Sequence, residues 1–423
     1  MTHYGIICPT ASGHLNPITT LGYELKKRGH RVTLFALIDS QSKALAAGLE
    51  FVPVAESDFP LGSAKNFLTE LGKLSGFAAI KFTIDGIRQT TQITLREMPT
   101  LVKQAGVDAL IVDQLSPEGG SVAEFLDIPF ITYACGVPVN LDISVPPFYS
   151  SWGYSSATWA KLRNWAGNKL FQQTGKPIRK VINEYRRQWN LPPHTSPNDS
   201  YSQLAQISQQ PAEFEYPRQN LPNCFHFTGA HNNPISREPT PFPFEKLTGQ
   251  PLIYASLGTI QNRFLEVFHC IAEACSQFDV QLVISLGGSA NPEVLQGLAG
   301  KPLVVSYAPQ LELLEKTTLT ITHAGMNTTL ESLTKAVPMV AIPIGNDQPG
   351  VAARIVWSGC GEAVGFKKLN ASKLGTAIQQ VLKQENYRQN ALRLQKAIQA
   401  AGGVSRAADI VEQVVSTGKP VLA

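Results

Sequence analysis

The chain lacks the sequence patterns that mark several broad classes of protein. Its six cysteines are scattered and form no Cys-x-x-Cys pair, so neither a metal site nor a disulfide framework is expected. No apolar run approaches the length of a membrane span, and because a strand is predicted almost at the first residue, no signal peptide is expected. The net charge of +4 is too weak to imply a nucleic-acid partner. We therefore expect a globular protein of the reducing cytoplasm.

Nucleotide-binding motifs of known mechanism are missing as well. A dinucleotide-binding turn needs three spaced glycines, whereas the loop at residues 9–14 contains a single glycine. Gly287 and Gly288 lack the required spacing, and no phosphate-binding Gly-Lys-Ser/Thr loop occurs. NAD and FAD are therefore disfavoured, and no bound cofactor is expected.

What the chain does contain is a regular alternation of strands and helices. An apolar strand at 4–8 precedes a loop, a helix from about Asn16 to Arg28 and a strand at 32–36. Asn16 fits the N-cap of that helix and Pro17 its first residue. This order implies a parallel sheet with a right-handed crossover. Further strands are predicted at 51–54, 109–112 and 130–133.

The alternation restarts after a proline-rich stretch. Residues 232–251 contain five prolines, which is typical of an extended linker. At 423 residues the chain is long enough for two cores. The sequence predicts an α/β protein with doubly wound domains at 1–232 and 252–402, joined by a linker at 233–251. In the second domain, strands are predicted at 252–257, 280–286, 303–307, 319–322, 338–342 and 362–364.

One stretch of the second domain combines a strand, a glycine turn and the start of a helix. The strand ends at His323, Gly325 forms the turn, and the helix is predicted to start near Thr328. Free backbone N–H groups at such a helix start point at an anion, so we interpret the stretch as a diphosphate cradle. A structural alternative stays open, because Thr328 and Glu331 also fit a capping box that binds no ligand. His323 likewise fits a hydrogen-bonded residue at a strand end.

Two ionisable residues of the first domain follow predicted strands. His14 lies in the loop after the first strand, and Asp113 directly follows the strand at 109–112. Ligands of open α/β sheets bind beyond the carboxyl ends of the strands, so both residues can face one cleft. A histidine oriented by a carboxylate can take a proton from an alcohol. The alternative is a histidine that caps a helix and an aspartate that bonds loop amides.

Two further pairs in the second domain suit a phosphorylated or sugar ligand. Gly258 and Thr259 close its first strand, where a glycine and a hydroxyl suit a phosphate, although an ordinary turn explains them equally well. Asp347 and Gln348 precede a helix predicted at 351–357. They fit either the start of that helix or directional bonds to vicinal sugar hydroxyls.

Together these motifs resemble the donor signature of inverting nucleotide-sugar glycosyltransferases with the GT-B fold. That family includes enzymes of plant secondary metabolism and of bacterial macrolide and carotenoid glucosylation. The resemblance covers most of the chain and implies two Rossmann-like domains that face a central cleft. It also implies a last helix, predicted at 404–416 within 403–423, that crosses back to the first domain. The matching segments are Tyr-Ala-Pro-Gln at 307–310, His-Ala-Gly-Met-Asn-Thr-x-Leu-Glu at 323–331, Asp-Gln at 347–348 and Gly-His-x-Asn-Pro at 13–17.

The resemblance implies a role for each site residue. His14 matches the general base of the family, and Asp113 matches the carboxylate that orients it. Plant members usually carry Trp where this chain has Tyr307 and Ser where it has Thr328. The first exchange keeps a ring that can stack, and the second keeps a hydroxyl that can donate. The implied donor contacts are Tyr307 to uracil; Ala308 backbone and Gln310 to base or ribose; His323, Asn327, Thr328, Thr259, Gly258 and Gly325 to the phosphates; Glu331 to the ribose hydroxyls; and Asp347 with Gln348 to the sugar.

The implied function is transfer of a hexose, with inversion, from a UDP-sugar to a hydroxyl. The Asp-Gln pair favours UDP-glucose by resemblance. No Asp-x-Asp motif for metal-assisted neutralisation of the diphosphate occurs, so no divalent metal is expected. Asn140 and the Val-Pro-Pro at 145–147 resemble the zeaxanthin glucosyltransferase branch, which implies a hydrophobic acceptor such as a hydroxylated carotenoid. The alternatives are a small aromatic or polyketide alcohol as acceptor, a nucleotide-sugar epimerase, and a non-catalytic nucleotide-sugar-binding protein.

The segment at 143–183 allows three interpretations. It has no acidic residue, and basic residues alternate with aromatic ones. This composition can mark a helix on an anionic membrane surface, and so a peripheral membrane contact. A solvated helix whose aromatics pack inward and the wall of an apolar acceptor pocket are the other two interpretations. The residues concerned are Lys161, Arg163, Lys169, Lys176, Arg179 and Lys180, with Trp152, Trp159, Trp165 and Phe171.

Overall fold

The computed structural model describes residues 1–72, 74, 76–233, 240–288 and 290–423. Residues 234–239 of the predicted linker 233–251 lie outside the described residues. Two parallel sheets, one in each half of the chain, form the centres of the described structure. This confirms the predicted fold class, although the exact bounds of the two domains and of the linker stay predictions.

The first sheet has seven strands in the order β3-β2-β1-β4-β5-β6-β7, and all neighbours are parallel. The strand order changes direction between β1 and β4, which is the position where open α/β sheets leave a crevice for ligands. The strands are β1 His3–Ile7, β2 Arg31–Ala36, β3 Glu50–Pro53, β4 Ala109–Asp113, β5 Phe130–Ala134, β6 Gln206–Ser208 and β7 Phe225–Phe227.

Both faces of this sheet are covered by helices. Alternate residues of β1 and β4 point to opposite faces, so Ile6 and Ile111 enter one apolar cluster while Ile7 and Leu110 enter another. No helix among the described residues has both the length and the apolar character needed to span a membrane. The helices of this half are α1 Ser12–Lys27, α2 Gln41–Ala46, α3 Ser63–Gly72, α4 Gly76–Ala105, α5 Gly119–Phe125, α6 Thr158–Thr174 and α7 Lys176–Gln188.

The second sheet has six parallel strands in the order β10-β9-β8-β11-β12-β13. Its strands are β8 Leu252–Ser256, β9 Gln281–Ser285, β10 Leu303–Val305, β11 Thr317–Thr322, β12 Met339–Ala341 and β13 Gly361–Ala363. Its helices are α8 Leu265–Cys275, α9 Gln310–Leu313, α10 Met326–Thr334, α11 Gln348–Trp357, α12 Ala371–Lys383 and α13 Glu385–Ala400.

The last helix, α14 (Gly403–Thr417), packs on the first half of the chain. Its apolar side, including Ile410 and Val411, joins the core cluster beneath β1. Arg28 at the end of α1 contacts carboxylates of Asp409 and Glu412, at 2.6 and 2.7 Å. The C-terminal helix therefore fastens the second half of the chain to the first.

A buried ion pair forms a second connection between the halves. Arg354 of α11 donates to one carboxylate oxygen of Glu215 at 2.9 and 2.5 Å, and both side chains are almost fully buried. The other oxygen accepts from Gln210 at 2.8 Å. A buried charge is costly unless it is paired, so this contact holds α11 in one orientation against the first domain.

Three helix starts differ from the sequence prediction, and one of them is that of α11, which begins at Gln348 rather than at Val351. Helix α1 begins at Ser12 rather than after Asn16, so His14 lies in its first turn and Pro17 inside the helix. Helix α10 begins at Met326, two residues before Thr328, and its N-cap is Gly325. The end of β11 differs by one residue, because the strand ends at Thr322 and His323 follows it.

Candidate functional site

The site begins with a hydrogen-bonded pair at the switch point of the first sheet. Nδ1 of His14, on the first turn of α1, lies 2.9 Å from Oδ2 of Asp113, the last residue of β4. The second oxygen of Asp113 accepts from the Leu115 amide at 2.8 Å, as the loop-amide alternative expects. Asp113 thus anchors the loop and also orients the imidazole. The N-cap of α1 is Ala11, so His14 does not cap the helix.

Charges around His14 hold its proton more firmly than usual. Burial disfavours the imidazolium, but the charge and the hydrogen bond of Asp113 oppose it, and the net effect raises the pKa of His14 above its ordinary value. Asp347 of the second domain adds to this rise. With Nδ1 facing Asp113, the neutral ring carries its free lone pair on Nε2, where it can accept a proton.

Cys135 lies next to this pair. One ligand atom each of His14, Asp113 and Cys135 fall within 4.8 Å of one another, a spacing compatible with a metal ion. Burial and the Asp113 charge raise the pKa of the Cys135 thiol well above its usual value, so the sulfur stays protonated and donates to the His14 carbonyl at 3.4 Å. A protonated thiol is a poor metal ligand. The expected independence of divalent metals stays a prediction.

Asp347 brings the second domain to the same place. It occupies the N-cap of α11 without a side-chain capping bond, which removes the helix-start explanation for its carboxylate. Burial raises the pKa of Asp347, and the His14 charge opposes that rise. A Cβ atom on Gly136 of the first domain would meet the carboxylate at 2.7 Å. Only a glycine therefore lets this carboxylate approach the first domain so closely.

Gln348 has a structural task in the turn before α11. Its side-chain oxygen accepts from the amides of Ile344 and Gly345, at 2.9 and 3.0 Å. The side chain is buried, and its amide nitrogen is the part suited to donate to a ligand.

His323 follows β11 and is enclosed by two glycines. A Cβ atom on Gly258 or on Gly325 would lie 2.6 Å from atoms of its imidazole. Burial lowers the pKa of His323 to about 4, although a backbone contact with Ser256 opposes this. His323 is therefore neutral at physiological pH, and it can donate a hydrogen bond without carrying a charge. Thr259 follows Gly258 at the exposed end of the same turn.

The helix α10 starts beside this imidazole, without a capping box. Its N-cap is Gly325, no side chain caps it, and Thr328 lies inside its first turn. The capping-box alternative for Thr328 and Glu331 is therefore wrong. Without a capping side chain, the first backbone N–H groups of α10 are available to an anion.

Asn327 joins the two domains at the start of α10. Its Nδ2 donates to the Gly13 carbonyl of α1 at 3.1 Å, and its Oδ1 accepts from Gln209 at 2.8 Å. In a regular helix the amide of residue 17 would bond the Gly13 carbonyl, but Pro17 has no N–H. The proline thus frees the carbonyl that Asn327 uses.

A hydrogen-bonded group lies further along the second sheet. The amide nitrogen of Gln310 donates to Glu331 at 2.5 Å and lies 3.4 Å from the Thr328 hydroxyl. Its oxygen accepts from Tyr254 at 3.1 Å. Nearby, Tyr307 is exposed, whereas Ala308 is buried. Through these hydrogen bonds, Gln310, Glu331 and Tyr254 hold one another in place.

Sequence reasoning missed three contributors to this site: Gln209, Tyr254 and Gly136. Gln209 follows a three-residue strand that leaves no periodic signal, and Gly136 matters only because Asp347 approaches it. Tyr254 carried a weak signal, since it is a polar ring inside the apolar strand β8.

Comparison with known proteins identifies the family of this chain. The sequence profile described as "UDP-glucoronosyl and UDP-glucosyl transferase" matches residues 63–400. The chain belongs to this family of glycosyltransferases. It is 33% identical to the zeaxanthin glucosyltransferase of Pantoea ananas over 424 residues, covering 100% of this chain and 98% of that protein. It is 31% identical to that of Pseudescherichia vulneris over 430 residues, covering all of both chains.

The solved structures agree on the fold of this glycosyltransferase. The glycotransferase of kitacinnamycin superposes with a TM-score of 0.77 at 20% identity, over 97% of this chain and 98% of that one. At that identity the likeness establishes the fold alone. The predicted GT-B architecture, with its two Rossmann-like domains, is thereby confirmed, and so is the predicted family.

Proposed function

We propose that this glycosyltransferase moves glucose from UDP-glucose to a hydroxyl of a hydroxylated carotenoid such as zeaxanthin, with inversion. The observation that carries the proposal is the His14–Asp113 pair, which faces Asp347 of the donor domain where the two domains meet. The full-length relatives named zeaxanthin glucosyltransferase support the choice of acceptor.

In the proposed mechanism His14 is the general base. Its Nε2 takes the proton of the acceptor hydroxyl as that oxygen attacks the anomeric carbon of the glucose. Asp113 keeps the proton on Nδ1 and stabilises the imidazolium that forms. The bond from the anomeric carbon to the diphosphate oxygen breaks on the opposite face through an oxocarbenium-like state. UDP leaves with the bonding electrons.

The leaving diphosphate meets a set of neutral donors. The uncapped N-terminus of α10 offers backbone N–H groups, and His323 adds an uncharged ring N–H. We assign the hydroxyls of Thr328 and Thr259, and the backbone turns at Gly258 and Gly325, to the same diphosphate oxygens. Fixed dipoles of this kind stabilise developing charge without reorganising during the reaction.

The rest of the donor is assigned to the remaining site residues. Tyr307 stacks on the uracil, and the Ala308 backbone with Gln310 pairs with the base or ribose. The Glu331 carboxylate accepts hydrogen bonds from the ribose hydroxyls. This favours a ribonucleotide over a deoxyribonucleotide, because the 2′-hydroxyl is a second donor. Asp347 and the Gln348 amide nitrogen bind the glucose hydroxyls.

The test uses the purified protein, UDP-glucose and zeaxanthin in detergent micelles. Mass spectrometry should find the glucoside, and NMR of the anomeric proton should show the β-anomer from the α-configured donor. Thymidine diphosphate glucose should be a poorer donor, and EDTA should leave turnover unchanged. An α-glucoside would contradict inversion, and loss of turnover in EDTA would contradict metal independence.

The same assay separates the alternatives. UDP-glucose converted to another UDP-hexose without acceptor would identify an epimerase. Donor binding without turnover of any alcohol would identify a binding protein, and preference for a small aromatic or polyketide alcohol would replace the carotenoid. Because a carotenoid alcohol dissolves in lipid rather than water, we also propose that the enzyme meets its acceptor at a membrane surface.

A further inference from the structure

Helix α6 has its polar and apolar faces reversed relative to an ordinary surface helix. Its inward residues are small or polar: Asn164 donates to the Ile143 carbonyl at 3.1 Å, and Asn168 to the Asp142 carbonyl at 3.2 Å. The outward residues are large and apolar, with exposed fractions of 61% for Trp159, 65% for Leu162, 49% for Trp165 and 63% for Leu170. A surface helix normally shows the opposite arrangement. Trp159 and Trp165 therefore do not pack inward, whereas Phe171 does, so the solvated-helix interpretation is wrong for the two tryptophans of this face.

The charge has one sign within residues 143–183, and Glu184 just beyond them lies 4.0 Å from Lys180. No aspartate or glutamate occurs from residue 143 to residue 183, whereas Lys161 and Lys169 lie on α6 itself and Lys176 and Lys180 on the exposed surface of α7. The guanidinium of Arg163 lies 4.8 Å above the Trp152 ring and 5.2 Å above the Trp159 ring. An exposed apolar patch on a helix that also carries Lys161, Arg163 and Lys169 matches a layer that is apolar within and anionic at its surface.

The inward side of α6 packs against a segment that contacts the donor domain. Phe148 packs edge-on against Phe171 of α6, with ring centroids 5.2 Å apart. A Cβ atom on Gly350 of α11 would meet the Phe148 carbonyl at 1.9 Å. Gly350 is two residues beyond Gln348 at the proposed sugar subsite. A single aromatic segment, which includes Phe148, thus separates α6 from the donor domain.

We infer that the outward face of α6 docks the enzyme on an anionic lipid bilayer, with Trp159, Leu162, Trp165 and Leu170 in the interfacial layer. Tryptophan favours that layer because its ring is apolar and its N–H is polar. A second copy of the chain is a poorer occupant, because two such faces would bring cations against cations. The inference rests on the proposed function only in its purpose, which is access to a lipid-soluble acceptor.

The first experiment measures partition into vesicles. The wild-type enzyme should float with vesicles containing about one-third phosphatidylglycerol, more weakly with pure phosphatidylcholine, and less in high salt. The triple variant Leu162→Gln, Trp165→Gln, Leu170→Gln should lose roughly tenfold or more of this partition, since interfacial binding scales with buried apolar area. Glutamine keeps the helix propensity of these exposed positions.

A matched control replaces three exposed apolar residues elsewhere. Leu45→Gln, Val294→Gln and Leu392→Gln lie on other surfaces and should leave partition unchanged. Lys161→Glu with Lys169→Glu should remove the preference for anionic vesicles. Equal partition of the wild type and the α6 triple variant would overturn the inference. A wild-type dimer in light scattering that the triple variant loses would also overturn it, and would assign the face to a second copy.

A second readout keeps docking and function separate. With zeaxanthin embedded in anionic vesicles, the triple variant should transfer roughly tenfold more slowly than the wild type. With cyclodextrin-delivered zeaxanthin, both should react at equal rates. Binding to vesicles without transfer in either format would refute the proposed function and leave the docking surface standing. Equal rates of the two proteins on embedded zeaxanthin would refute docking as the route to the acceptor.

Discussion

Each domain places one histidine where the domains meet, and the two imidazoles have opposite surroundings. His14 bonds the buried Asp113 carboxylate at 2.9 Å, and its pKa is raised above the ordinary value. His323 packs between Gly258 and Gly325, and burial lowers its pKa to about 4. Neighbouring charge tunes the first histidine, whereas close packing tunes the second.

The difference separates proton transfer from donor binding. A base works best when its pKa lies near the working pH, and a carboxylate partner can bring it there. Because His323 stays neutral, it can bind the phosphates equally well over the whole pH range in which His14 titrates. Titration of His14 should therefore set the pH dependence of the reaction. The packing around His323 should set the affinity for UDP-glucose. The predictions below test this division, from the largest expected effect to the smallest.

The largest effect should come from His14→Ala. Loss of the general base should reduce kcat by about 10²–10⁴-fold. The Michaelis constant for UDP-glucose should stay within about twofold, because His14 is assigned no donor contact that binds the ground state. Steady-state kinetics with both substrates varied gives the two numbers. A large rise of the Michaelis constant for UDP-glucose with unchanged kcat would show that His14 binds the donor and is not the general base.

Asp113→Asn should test whether the neighbouring charge raises the pKa of His14. In the wild type, His14 must be neutral to act, so kcat/KM should fall as pH falls through its raised pKa, which lies above 6.5. Asparagine removes the charge that raises the pKa, so the acid limb should move to lower pH. The plateau should drop by about 10²–10³-fold, because the amide no longer fixes the productive tautomer. An unmoved acid limb would show that another group titrates.

His323→Ala should affect the donor. Losing a hydrogen bond to a charged group costs about 1.5–3 kcal/mol, so the Michaelis constant for UDP-glucose should rise by roughly 10–100-fold. The acid limb of the pH profile should keep its wild-type position, since the pKa of His323, about 4, lies below the range of the assay. A shift of that limb would mean that His323 is charged in the working enzyme.

The sequence predicted most of the frame. Buried β-branched runs identified the strands of the second sheet to within a residue or two, for example 252–257 against the observed Leu252–Ser256. The short strands β6 and β7 of the first sheet were missed. Helix starts failed where local rules conflict with tertiary contacts. Pro17 was predicted as a first helical residue, but it lies inside α1.

The failure at Pro17 shows what a sequence cannot display. The carbonyl that Pro17 frees is bonded by Asn327, a residue 314 positions away in the other domain. The motif around His14 could be seen locally, and so could the glycine turn after His323. The contact between those two motifs exists only in the folded protein. The same holds for Gly136, whose importance arises from the carboxylate of Asp347.

The smallest effect should come from Gly325→Ala, which tests whether shape alone sets the second histidine. A Cβ atom there would lie 2.6 Å from Nε2 of His323, so the imidazole must shift, and the UDP-glucose constant should rise by about three- to tenfold. Gly365→Ala is a matched control. Gly365 is also an N-cap, with φ −62° against −67° for Gly325, and a Cβ atom on it would meet nothing within 4 Å.

The control removes backbone and capping effects from the comparison, because both substitutions place alanine at an N-cap with nearly the same backbone angles. Gly365→Ala should therefore leave donor binding unchanged. In a protein that already carries His323→Ala, Gly325→Ala should cost nothing more, since its only clash is with the missing ring. An equal cost in both backgrounds would mean that Gly325 acts through the helix start itself, and that packing does not tune the second histidine.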